Sequence, residues 1–491
     1  MADRILTDPT RRHLLGGGLA IAAAGAAPSS ATQKTPAGAP CMTGRSVRDF
    51  GAKGDGVTDD TDAFNRATQA SAPWSPGLAT LIYVPAGRYR IDGTVCVRKG
   101  QHLHGDGEPS VIDATRAQQH TFVLGSGLIA GRLREDPGGA PVQVSDLQTL
   151  GSAPTQALIF TEAQGFAMRR LFLSAVGTGI HVRGADGMIA DIVVDQALNG
   201  IVFDQCQNIN VSNVITYLAN YAVTFKAGAR DITISAAQFC YSRYAGLLLM
   251  DGATGIANVR VSACSFTMNQ QFETFVGYVH CRASGAEMAF DNCSFRNWPG
   301  FAIDQAAGQG ARLSFANCQF DGRPTNPLYN GADRSKGIAT GVSGRFRLVE
   351  CEFRHLHGEI INARRDLAAL SFVGGAVEDC ALPLVRSAPE GVFPISVRDV
   401  AGLATVSGAT ATLPSWPGVH WELALRLRGG NGERRWRGTV GGGDAVAGAF
   451  LPSPASTQGS GAVRLREAAR DGATVIDAGA NIVGIDLRTS I

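Results

Sequence analysis

The chain has 491 residues and carries 44 lysines and arginines against 42 aspartates and glutamates. That balance, with no long run of one sign, excludes the electrostatic footprint of a nucleic-acid binder. Glycine is high at 61 and charged residues make up only 18%, a composition of tight turns and sheet core.

In chain order, Arg11 and Arg12 precede a glycine- and alanine-rich apolar run that closes on Ala24, Gly25 and Ala26. A charged start, a weakly apolar middle and a small-residue site predict an export signal over residues 1–30. The adjacent arginines point to the twin-arginine type, with an ordinary secretory signal as the alternative. Export would place the protein in the periplasm or outside the cell. The run is too short and too rich in glycine for a comfortable membrane span. Residues 31–44 read as a disordered spacer.

Gly51, Gly54 and Gly56 then make turns, and Asp59 or Asp60 can cap a short helix from Thr61 to about Ser71. An amphipathic helix there would cover the open end of a sheet structure. The neighbouring carboxylates also leave calcium open as a ligand, although they lack the regular oxygen spacing of a known loop. Ile82 and Val84, Tyr89 and Ile91, then Val95 and Val97 alternate with polar residues as the first strands.

Between residues 166 and 377 the chain repeats itself. Val259, Val261, Cys264 and Phe266 recur as Met288, Phe290, Cys293 and Phe295, then as Leu313, Phe315, Cys318 and Phe320, then as Phe346, Leu348, Cys351 and Phe353. The column Leu171, Ile192, Val214, Ala237, Cys264, Cys293, Cys318, Cys351 advances in steps of 21 to 33 residues. Alternation of period two inside a repeat near 22 residues predicts an all-β solenoid, a right-handed parallel β-helix over residues 45–400. Irregular insertions at 130–145 and 322–344 would wall a groove or make a subunit contact. The stacked cysteines predict a core ladder of free thiols, with neighbouring disulfides as the alternative; they lack the tetrahedral arrangement that zinc needs.

Residues 401–491 change character. Trp421, Leu423, Leu425 and Leu427 alternate like an antiparallel strand, as do the stretches near 435–440, 462–465 and 473–476. They predict a small β-rich module serving as cap, carbohydrate-binding piece or contact in a homotrimer.

The stretch from Asp49 through Gly51, Lys53, Gly54, Asp55, Asp59 and Asp60 to Thr61, followed by Pro85, Gly87 and Tyr89, resembles the start of the pectate-lyase superfamily. That superfamily includes polygalacturonases, rhamnogalacturonase-like and epimerase-like proteins, exo-glucanases and phage tailspikes. Together with the repeats the resemblance covers residues 45–400. It implies a parallel β-helix acting on polysaccharide, as a lyase or a glycoside hydrolase on an acidic glycan. The polygalacturonase pattern places aspartates and a histidine before successive strands, where this chain has Asn199, Asn220, Tyr221 and Ala245. Neutral amides can neither protonate a leaving oxygen nor activate water, so that chemistry is not expected there.

A second row lies three residues beyond the repeating column: Ser174, Asp195, Tyr217, Cys240, Thr267, Arg296, Asp321 and Arg354. Asp195, Glu273, Asp304 and Asp321 are the candidate catalytic acids. Tyr217, Tyr241, Arg243 and Tyr244 are the candidate substrate-binding residues, combining aromatic platforms with a cation for a uronate. The histidines are scattered along the chain, so no metal or other cofactor is predicted. The alternative function is a non-catalytic glycan-binding or surface-structural β-helix, and a tailspike-like depolymerase is the third.

Overall fold

The computed structural model describes most of residues 44–490. Placement is left open for 1–43 and for loop segments that include 71–79, 136–140, 269–274, 323–334, 364–368, 388–394 and 451–463. Residues 43–491 form one compact unit. The predicted export signal and nearly all of the spacer lie outside the described residues.

The fold is an all-β parallel β-helix. Each coil contributes to one large sheet either a single bent strand, as Gln164–Ser174 and Ala185–Asp195, or two consecutive short strands, as Glu287–Asp291 and Ser294–Arg296, and a further strand to a second sheet. That second sheet, sheet B, is parallel from Val95–Val97 at one end to Val385–Ser387 at the other. The repeating column pairs in register, Leu171 beside Ile192 and Ile192 beside Val214.

One backbone device explains the repeat. The residue before each column position is left-handed: Arg170, Asp191, Asn213, Ala236, Ala263, Asn292, Asn317 and Glu350 all have φ near +50° to +58°. A single left-handed residue turns the corner between the two strands and consumes one step of the alternation. Apolar residues on both sides therefore face the same core, which is why two residues and not one separate Phe290 from Cys293. Asparagine and aspartate tolerate this conformation best, and their side chains join neighbouring corners, as Asn213 Nδ2 donates to Asp191 Oδ1 at 2.8 Å.

The core follows the columns. Phe266, Phe295, Phe320 and Phe353 stack with centroids 4.6 to 4.7 Å apart, and all four are buried. Cys264, Cys293, Cys318 and Cys351 are free and buried. Their Sγ atoms donate to carbonyls at the corners, Cys264 to Ser262 at 3.2 Å and Cys318 to Ala316 at 3.3 Å. Those carbonyls also accept a backbone N–H from the neighbouring coil, Ser262 O from Ala236 N at 3.1 Å and Ala316 O from Asn292 N at 3.0 Å, so each thiol adds a second bond to an acceptor already paired.

At the N-terminal end a helix, α1 (Thr61–Ala70), buries Ala63, Phe64 and Ala67, with Phe64 edge-on to Tyr89 at 5.4 Å. The cap divides its labour between two aspartates. The Asp60 carbonyl accepts from Phe64 N, while its carboxylate turns away to accept from Lys53 N at 2.7 Å and Gly54 N at 3.0 Å. Asp59 Oδ1 takes the amide and hydroxyl of Thr61. These carboxylates are occupied by protein donors, and no group of three or more metal-ligating side chains occurs among the described residues.

Asp55 in the same turn accepts from Thr58 N at 2.7 Å and Val57 N at 2.8 Å. Those bonds, the Thr58 amide foremost, hold its carboxyl at about 2. A depressed folded-state value contributes stability above the unfolded value that is lost as pH falls through the folded one. Urea unfolding from pH 4 down to pH 2 is expected to show a steeper loss in the wild type than in Asp55→Asn. Equal slopes would mean the turn is already open in the folded ensemble.

Beyond the solenoid, His420–Gly429 pairs antiparallel with Gly432–Val440 and with Asn481–Ser490. Thr410–Pro414 pairs antiparallel with Ala473–Asp477.

Candidate functional site

Sheet B carries a chemically distinct outer row. The middle residue of each apolar-any-apolar strand points away from the core, and ladder pairing lines up Phe160, His181, Val202, Thr224, Leu248, His280 and Asp304 on successive rungs. Two residues further along each strand lie Arg183, Asp204, Lys226, Met250 and Arg282. Asp204 Oδ2 gathers His181 Nε2 at 3.5 Å and Lys226 Nζ at 3.9 Å. Burial, then the Lys226 charge, depress the His181 pKa and keep that ring neutral near pH 7.

His280 and Asp304 are the centre of this row. Their side chains are 10% and 9% exposed, and His280 Nδ1 lies 3.3 Å from Asp304 Oδ2. Nδ1 faces the carboxylate at ion-pair distance but makes no hydrogen bond to it, so the contact orients the ring electrostatically; with the proton on Nδ1, the Nε2 lone pair is the one that can accept a proton. Arg282, two residues from His280 on the same face, is half-exposed and reaches Asp251 only at 3.7 Å. The row therefore offers an oriented base and a nearby cation.

The other predicted residues sit at the corner leading into sheet B. Their row is one continuous ladder, with Ser174 beside Asp195, then Tyr217, Cys240, Thr267, Arg296, Asp321 and Arg354. Asp195 and Asp321 are five rungs apart, about 24 Å at the usual strand spacing. An acid–base pair needs roughly 5–10 Å, so these two do not act together. Asp195 is buried and accepts from Gln196 Nε2 at 3.2 Å. Asp321 Oδ1 meets His355 Nδ1 at 2.9 Å. Glu273 lies outside the described residues.

The tyrosines form two pairs. Tyr217 meets Tyr241 edge-on at 5.0 Å, and Tyr244 stacks on Tyr221 at 5.5 Å with 25° between planes. Arg243 is exposed between them in sequence, its amide bound to Ala219 O at 2.9 Å. Asn199 pairs with Tyr221 across the rung and its Oδ1 accepts from Thr224 Oγ1 at 2.8 Å.

The structure thus collects histidines that look scattered in sequence. His280 meets Asp304 and His355 meets Asp321, while His102 and His104 both contact Ser145 Oγ, at 2.8 and 3.0 Å. Part of the signal for the sheet B row was present: His181, Thr224 and His280 each occupy the centre of an apolar-any-apolar triplet, whereas Asp304 is followed by the polar Gln305.

Residues 44–248 match the family described as Rhamnogalacturonase A/epimerase, pectate lyase-like. The chain is 29% identical over 203 residues to a glucan 1,3-beta-glucosidase of Cochliobolus carbonum, covering 35% of this chain and 25% of that protein. It is 40% identical over 68 residues to alginate lyase 7 of Azotobacter vinelandii, covering 12% and 8%. The chain spans a quarter or less of these curated relatives. Among solved structures, the A-module of a mannuronan C-5 epimerase from Azotobacter vinelandii aligns with a TM-score of 0.49 at 15% identity, over 73% of this chain and 97% of the module. The protein is a parallel β-helix whose first coils are pectate-lyase-like in sequence. No helix among the described residues is long and apolar enough to cross a membrane.

Proposed function

We propose that this protein is an exported polysaccharide lyase acting on a uronate-bearing glycan, with its site on the outer face of sheet B. The observation that carries the reading is the His280–Asp304 pair. It supplies one oriented base where a glycosidase would need two carboxylates facing one bond. The names of the relatives, among them an alginate lyase and mannuronan epimerases, support the substrate class. Export rests on Arg11, Arg12 and the apolar run that follows.

In this reading His280 Nε2 removes the proton on the carbon that bears the uronate carboxylate. The released electron pair forms the new carbon–carbon double bond as the adjacent glycosidic carbon–oxygen bond breaks, and the departing oxygen takes a proton from solvent. Arg282 neutralises the carboxylate, which acidifies the proton being removed. Asp304 is a positioning residue. The Tyr217–Tyr241 and Tyr221–Tyr244 pairs, with Arg243, form the rim that carries sugar rings toward the site.

A second reading, a non-catalytic glycan binder, is favoured by one observation: solvent scarcely reaches His280 and Asp304. Incubating the mature protein with acidic and neutral polysaccharides separates the two. Unsaturated-uronate absorbance together with new reducing ends is the expected result. Reducing ends without absorbance would mean hydrolysis, and silence with retained binding would leave the second reading.

A further inference from the structure

The outer face of the large sheet carries a groove of about 780 Å³ on the first strands of five successive coils. It lies on a different sheet from His280 and Asp304. Arg260, Arg312, Arg345 and Arg347 line it, and all four are exposed. Arg312 and Arg345 face each other on adjacent rungs, and Arg260 and Arg347 share the neighbouring row three rungs apart, about 14 Å.

These guanidiniums lack the partners that arginines have elsewhere on this surface. Arg88 is held by Asp113, Arg170 by Asp146, and Arg354 by Glu352 and Glu378, each within 3.2 Å. Glu287 shares the groove and is the rung neighbour of Arg312, but no ion pair within 4.0 Å joins a groove arginine to a carboxylate among the described residues. Arg260 has only a 3.4 Å contact with Asn258. The nearby Asp291 is engaged by Asn292 and Asn317 amides. Like charges directly opposite on a ladder destabilise a sheet. Four guanidiniums against the carboxylates of Glu287 and Asp291 leave the concavity net positive and suited to receive anions from outside.

We propose that this groove is a second binding site, one that holds a carboxylate-bearing polysaccharide along the helix axis. The proposal takes its ligand class from the lyase reading; the location is independent of it. Rungs advance by about 4.8 Å, comparable to one pyranose residue in an extended chain, so carboxylates of a uronate polymer can meet successive arginines bidentately. The groove offers no aromatic platform, since the Phe346 side chain faces the core. That argues against single-stranded nucleic acid, whose binders stack bases on aromatic rings. The site would hold a long substrate while sheet B works on another stretch of the same chain or a neighbouring one.

The test uses the full mature protein carrying His280→Gln, so that the probe is not consumed, and a defined-length oligogalacturonate titrated by calorimetry. Replacing Arg260, Arg312, Arg345 and Arg347 together by glutamine is expected to weaken binding by roughly tenfold or more, on the basis of four exposed charge contacts. The remaining affinity should lose most of its salt dependence. Because Arg312 and Arg345 repel, Arg345→Gln alone should keep or raise the melting temperature, which separates lost binding from lost fold. Unchanged affinity in the quadruple variant would overturn the proposal. So would equal binding of a neutral oligoglucan, or tighter binding of a single-stranded oligonucleotide. Arginine-dependent binding, together with no cleavage of the same oligomer by the protein with His280 intact, would sink the lyase reading and leave this site standing.

Discussion

Replacing His280 by glutamine is expected to lower kcat on a uronate polymer by roughly 10²–10⁴-fold, the usual contribution of a positioned base. The substitution keeps the ring-sized volume and a polar group beside Asp304 but removes the lone pair that accepts the proton. Binding, measured by titration with a uronate oligomer, should change little, because the imidazole acts on the proton and not on the carboxylate. Asp304→Asn tests the positioning role separately. An amide can present its NH₂ to Nδ1 and stabilise the wrong tautomer, with the proton on Nε2. Activity should then fall through kcat while KM holds, and a pH–rate profile recorded for both proteins should show the loss at every pH. An unchanged profile in Asp304→Asn, with full activity in His280→Gln, would move the chemistry to the row containing Asp321 and His355.

The largest stability effect is expected from Phe320→Ala. Phe320 lies between Phe295 and Phe353, stacked 4.7 Å from each with its ring nearly parallel to both, and is 1% exposed. Removing it leaves a cavity that parallel strands on either side cannot close without breaking their rung bonds. The cost is about 3–5 kcal/mol. In a solenoid each coil touches only its neighbours, so the damage should be local. Hydrogen exchange should speed in the strands bearing Phe295, Phe320 and Phe353 and stay slow near Ile192 and Val214. A uniform increase along the chain would show instead that the coils unfold as one cooperative block. The like substitution Phe320→Leu, which keeps most of the volume, should recover the greater part of the loss.

How far the fold could be read depended on which contacts a repeat makes explicit. In a parallel β-helix, residues in one column of an alignment become neighbours on adjacent rungs. The column from Leu171 to Cys351 therefore gave the coils, the inward face and the free-thiol ladder at once. The same logic aligns Ser174 through Arg354 into a single row from spacing alone. The corner geometry was legible only as an odd spacing, two residues between Phe290 and Cys293. Its cause is the left-handed residue at Asn292, which side-chain pattern alone does not distinguish from a short loop.

Position along the axis was the part that sequence alone left undecided. Asp195 and Asp321 share a row and so looked equivalent, yet five rungs separate them, because a row says nothing of distance along the stack. His280 and Asp304 are 24 residues apart in the chain and one rung apart in space. Loops of differing length between coils hide that pairing, and the choice of Nδ1 facing the carboxylate is set by rotamers within packed neighbours. The arginines of the groove likewise look like ordinary solvated residues until the sheet gathers them on one face. By itself the sequence determined the coil, its core and its rows, since period-two alternation and burial fix them locally. Only the tertiary structure decided which charged groups meet, because that depends on where each loop lets the next rung begin.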